Sequence, residues 1–225
     1  MSSLNQLISE IAHIVGQPNN IPLRRHIRQS IIHHRNELIR QSFNNHKYID
    51  KQIWQRYKVS LIDVPEGDIN GVELGQYVKR SANRILKPVR FTDNLPLKSV
   101  RTIGASPIEI AHVKQAGGQF YKALPGMCAM PVYDLINYYL YINYTNSSID
   151  LAQINAVIIE APFEYPHLVP EETFDGKIET PVSDDDEFLL PEDMIPQLKE
   201  LILKRGIINI PHETNESPKD NIVNG

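Results

Sequence analysis

The hydrophobic period of this chain changes once, near Ile53, and that change restricts the fold to a helical part followed by a β-rich part. Before it, Leu4, Leu7, Ile8, Ile11, Ile14 and Val15 recur every three to four residues, the spacing of one face of an α-helix. Ser2 or Ser3 can cap that helix, and Gly16 with Pro18 ends it. Pro22 then suits the first turn of a second helix running to about Asn44, with Ile27, Ile31, Leu38, Ile39 and Phe43 on its apolar side. So short a connection predicts an antiparallel helical hairpin over residues 1–50.

From residue 51 to 163 the pattern is that of strands. Trp54, Tyr57, Val59 and Leu61 lead into Ile62–Val64, and Pro65-Glu-Gly67 makes a turn. Leu86–Phe91, Ser99–Ile103 and Gln119–Leu124 read as short extended pieces, whereas 72–84 fits neither period. Ser106-Pro107 has the form of a capped helix start. The clearest β signal is Met130–Tyr144, folded on a turn at Asn137, followed by Ile154–Glu160. Apolar residues on both faces of these strands predict a sheet covered on both sides, and the tyrosines read as sheet packing rather than a base-stacking platform. The fold class is α+β: a helical hairpin, a central and mostly antiparallel β-domain of sandwich or barrel type, then a C-terminal helix and an extended tail.

Charge follows the same partition. Residues 1–58 carry a net +6, 59–163 are neutral, and 164–192 carry −9. The acidic stretch holds Asp184-Asp-Asp-Glu187 and several prolines, and reads as an arm. Pro191-Glu-Asp-Met194 opens a C-terminal helix (193–206) with acids in its first turn and Lys204-Arg205 in its last, matching the helix dipole. Residues 207–225 read as a tail with a sticky start at Ile207, Ile208 and Ile210. A basic head and an acidic arm suit a subunit whose two ends meet different neighbours, with electrostatics setting orientation.

The chemistry expected of common enzymes is missing. The chain contains no phosphate-binding loop, no dinucleotide fingerprint, no Gly-x-Ser-x-Gly and no His-Glu-x-x-His. His33, His34 and Glu37, with His26 nearby, are the nearest approach to a metal set and read as an exposed polar helix face, so neither metal nor cofactor is expected. Glu160, Glu164, Glu171 and Glu172 read as surface acids without the fixed separation of a paired-carboxylate site. Cys128, the only cysteine, excludes an internal disulfide and reads as inert core in a reducing cytosol. No apolar run approaches the roughly 20 residues that cross a bilayer, and the start lacks a signal-peptide pattern. The candidate partner-binding residues are therefore Arg24, Arg25, Arg28 and Arg35 on the second helix and Ile207, Ile208 and Ile210 in the tail. Those arginines, with Arg40, also define the alternative: a nucleic-acid-binding or packaging accessory protein working through helix 22–44.

Several stretches in shared order carry a resemblance. They are Ile8-Ser-Glu-Ile11, Gln17–Leu23, Ile31–Ser42, Ile85–Phe91, Val100–Gly104, Glu160-Ala-Pro162 and Leu190–Ile202. Together they resemble virion proteins of crAss-like phages, the short-tailed viruses of gut Bacteroidales, and specifically their head–tail connector or ring proteins. The resemblance covers residues 1–206 and implies a non-enzymatic homo-oligomeric ring, twelvefold by that likeness. It further implies docking on the portal or a neighbouring ring or tail protein, with genomic DNA passing unread through the lumen. The place implied is the head–tail junction of a virion assembled in the bacterial cytoplasm. Within such a ring, the acids of 164–192 or the neutral domain are expected near the channel and the basic helix against protein, because a basic lumen would retain DNA through its phosphates.

Overall fold

The apolar stripe of residues 4–15 forms helix α1 (Leu4–Ile14), whose first turn is closed by Ser3 accepting a hydrogen bond from the Gln6 amide. Helix α2 (Ile21–His46) begins in the same way, with Asn20 accepting from the Leu23 amide and a proline in its first turn. Gly16 turns the chain between them at φ 77°, a left-handed conformation that glycine adopts without a Cβ clash. The computed structural model describes residues 2–68, 79–91, 97–104, 106–113, 131–143, 154–170 and 183–206. Cys128, the extended piece at 119–124, and Ile207, Ile208 and Ile210 lie outside them.

Among the described residues seven strands follow the hairpin: β1 (Gln55–Asp63), β2 (Lys79–Ser81), β3 (Ser99–Thr102), β4 (Ala111–His112), β5 (Val132–Ile136), β6 (Tyr139–Asn143) and β7 (Ala156–Ala161). Their order is β3-β7-β1-β2-β6-β5-β4, antiparallel except for the parallel β4–β5 pair. The two edges nearly meet. The Thr102 amide donates to the Ile108 carbonyl (3.0 Å) and the Ile110 amide to the Val100 carbonyl (2.8 Å), so the residues leading into β4 lie along β3. The sheet is thus a nearly closed barrel, and closure removes the exposed edges that an open sheet would present. This corrects the helix start expected at Ser106-Pro107. Ile108 and Ile110 alternate with Glu109, Ile110 is buried, and the Thr102 hydroxyl accepts from the Ile108 amide at 2.9 Å. Strand pairing therefore overrides the local capping signal.

Asn137 and Tyr138 both have positive φ (51° and 64°), the requirement of the tight turn joining β5 to β6. Val59, Leu61, Val100, Ile110, Tyr133, Leu140, Ile142, Val157, Ile159 and Phe163 fill the barrel. On β6, Leu140 and Ile142 are buried and so is Tyr141, whose hydroxyl donates to Asp68 (2.9 Å). Both faces of this strand are covered, and its tyrosines are packing residues.

A second core lies among the helices. It joins Leu7 and Ile11 of α1, Ile27, Ile31 and Ile39 of α2, Val89, Phe188 and Leu190, and Ile195 and Leu198 of the C-terminal helix α3 (Ile195–Leu201). A single π-helical turn, Ile202–Gly206, extends α3.

Ile110 sits at the closing seam, wholly enclosed by apolar neighbours, so Ile110→Ala should cost about 2–5 kcal/mol in urea denaturation. If the barrel is closed in solution, the Thr102 and Ile110 amides exchange with solvent as slowly as those of β7. Fast exchange at these two positions alone would mean an open sheet.

Candidate assembly surface

Helix α2 places its arginines on the side facing the rest of the chain, and most of them are engaged there. Arg24 donates to the Pro18 carbonyl (3.3 Å) and the Ser9 hydroxyl (3.1 Å), bracing the α1–α2 turn. Arg28 pairs with Asp184 at 2.9 Å. Arg40 pairs with Glu164 at 3.3 Å, and Lys87 reaches the other oxygen of the same carboxylate at 3.2 Å. Arg35 is wholly buried. It donates to the carbonyls of Leu189 (2.9 Å) and Phe163 (3.1 Å) and to the Asn36 side chain (3.1 Å), with the Phe188 ring 6.0 Å from its Cζ. Burial pulls its pKa down to about 9, which leaves it charged at neutral pH. Arg25 is exposed and takes part in none of these contacts.

The acidic stretch is the other half of this clamp. Residues 183–190 lie along the start of α1: the Asn5 amide donates to the Asp184 carbonyl (3.1 Å), the Phe188 amide to the Ser2 carbonyl (3.1 Å), and the Asn5 side chain to Asp185 (2.7 Å). The basic head and the acidic arm therefore meet each other within one chain. The Arg28–Asp184 ion pair joins the two charged segments, and Phe188 and Leu190 enter the helical core beside it. Asp185, Asp186 and Glu187 stay exposed at its surface.

Glu160 is also not the surface acid expected. It is 3% exposed, bound by Arg56 Nε (2.9 Å) and Lys98 Nζ (2.8 Å). The strand register explains the site, since Arg56 on β1 and Ser99 on β3 lie directly opposite Glu160 on β7. Burial disfavours its charge, but the hydrogen bonds from Lys98 and Arg56 outweigh this and hold its pKa below the ordinary value of 4.5. Lys98 also lies 4.4 Å above the Trp54 ring. These side chains line an open cavity of about 580 Å³ with Lys51 and Gln55. A lone carboxylate in an otherwise apolar strand was the available signal, but its partners lie far away in sequence.

His33, His34 and Glu37 do bring ligand atoms within 4.8 Å of one another. The helix face is not simply exposed, because His34 is buried. Glu37 is already occupied by His34 Nδ1 (3.1 Å), Arg205 (3.2 Å) and Gln41 (3.2 Å), and the His34 hydrogen bond chiefly lowers its pKa. The arrangement fastens the C-terminal turn to α2. Glu164, too, is an ion-pair anchor rather than a bare surface acid.

The described polar clusters thus fasten segments of the chain together around two cores, as expected of a structural subunit. The phage family described as "Phage tail ring protein 2" matches residues 6–222. The chain belongs to this family of ring proteins from crAss-like phages. No curated protein matches it significantly.

Replacing Arg35 by alanine strands two buried carbonyls and should cost about 3 kcal/mol or more. Arg28→Ala, which breaks a half-exposed pair, should cost less than about 1 kcal/mol. Urea denaturation of both variants checks this contrast. Acid should destabilise the protein through Glu160. Its folded pKa is depressed, so its stabilisation is present above 4.5 and lost as pH falls below that value. Glu160→Gln should flatten the acid limb of the stability–pH curve in that range, and an unchanged slope would refute the assignment.

Proposed function

We propose that this chain is a subunit of a homo-oligomeric ring in the phage head–tail connector, stacked on the portal or an adjacent ring and surrounding the DNA channel. The observation that carries this reading is the family match over residues 6–222. Two features of the chain agree with it. The barrel and the helical layer are fastened to each other by Arg35, Arg40 and Lys87, which suits a rigid building block. The arginines of the basic helix are largely taken up within the chain, so few remain for phosphates.

In this reading the neutral barrel domain turns toward the DNA and the basic helix toward protein. A lumen without a basic stripe lets DNA slide, since phosphate binding grows with each cation offered. The twelvefold symmetry that the sequence resemblance implies is part of the same proposal. The tail beginning at Ile207 is proposed to contact a neighbouring ring or the portal.

Co-expression with the portal and neighbouring tail proteins of the same phage, followed by cryo-EM, tests this. A symmetric ring seated in the connector is expected. The same maps test orientation, and Arg24, Arg25 and Arg28 lining the lumen would overturn it. A chain that stays out of every ring but binds DNA with a steep loss of affinity in salt would instead support the accessory reading based on helix 22–44.

A further inference from the structure

A ring of more than two copies needs two different surfaces on each chain, because surface one of each copy meets surface two of the next. This inference therefore rests on the ring reading above. The chain carries a pair of surfaces that match in apolar character and charge.

The first is the α1–α2 tip. Ile14 and Ile21 are 61% and 62% exposed, the most exposed of the large apolar residues described. They flank the turn, with Pro22 exposed beside Ile21 and with His13 and Arg25 exposed around them. The tip is preorganised by the Arg24 bonds to Pro18 and Ser9 and by the Asn20 cap, so docking it costs little ordering.

The second is a shallow groove, with free space of only about 20 Å³, where the acidic stretch lies on the start of α1. Leu4, Pro166, Phe188 and Leu189 supply its apolar lining, and Asp186 and Glu187 its acidic rim. Tyr165 and Leu168, 46% and 47% exposed, extend the apolar surface beside it. An apolar knob with a basic edge thus has its counterpart in an apolar surface with an acidic edge. One chain cannot join them itself: Leu4 and Ile14 are opposite ends of one helix, about 15 Å apart at 1.5 Å per residue.

We propose that the α1–α2 tip of one copy lays Ile14 and Ile21 on the exposed Tyr165 and Leu168 beside this groove on the next, with Arg25 facing Asp186 and Glu187. The contact is head-to-tail, the kind that repeats around a ring when the rotation between copies closes. The Arg25 pairing sets the register, and the apolar knob supplies most of the buried area.

The test uses the full chain at millimolar concentration and in co-assembly with its tail partners. Circular dichroism is expected to be unchanged in the variants of residues 14, 21, 25, 168, 186 and 187, since those side chains are exposed. Ile14→Glu with Ile21→Glu should abolish the lateral contact. Arg25→Glu should weaken it by about tenfold or more in sedimentation. Asp186→Lys with Glu187→Lys should do the same, and combining these three reversals in one chain should restore it. In a Cys128→Ala background, Ile21→Cys and Leu168→Cys should oxidise to a ladder of linked copies, including links between differently labelled chains. Rings that form normally despite Ile14→Glu and Ile21→Glu, with no ladder, would overturn this joint and leave the ring reading standing. Cross-links from the groove to a different tail protein would also overturn it. A wild-type chain that neither cross-links nor enters any ring would remove both readings.

Discussion

Arg35 carries its charge where water does not reach, so protein oxygens must meet its N–H groups, and those bound by Nε and Nη1 include two carbonyls from distant parts of the chain. Phe163 lies at the end of the barrel core, and Leu189 lies in the acidic segment laid along α1. Because a guanidinium has donors fixed in one plane, it holds these two carbonyls in a set relation to α2. Asn36 adds a bond to the Glu164 carbonyl at 3.1 Å, and Arg40 one to its carboxylate. The helical layer and the barrel are aligned through this single face of α2.

Around that junction, the charge imbalance along the sequence becomes a means of assembly within the chain. Exposed ion pairs such as Arg28–Asp184 contribute little individually. Beside them, Phe188 and Leu190 supply the apolar burial that holds this segment over α1. What is left over at the surface is also ordered: exposed acids at one end of α1 and exposed apolar residues with Arg25 at the other. A ring subunit can use such a division, since its neighbours on the two sides see different faces.

The helices were legible because their signals are local. The Ser3 and Asn20 caps, Pro22 and Gly16 act within a few residues, and the apolar spacing of α1 names its own buried face. Strands β3, β5, β6 and β7 were legible for the same reason, through alternation and the Asn137 turn. Ser106-Pro107 misled because its capping pattern is real but weaker than pairing with Val100–Thr102. Glu160 and Glu164 were misjudged because their cation partners lie 62 to 124 residues away.

By itself the sequence determined the two-part α+β organisation, the hairpin, the main strands and membership of a ring-protein family, because these rest on short-range periodicity and on motif order. Only the tertiary structure decided that the sheet nearly closes into a barrel, that Arg35 is buried, and that the acidic segment lies on the basic head. Each of these depends on which distant segments approach one another. Residue order constrains such approaches only weakly, and they become fixed when two cores and their connecting charges must be satisfied together.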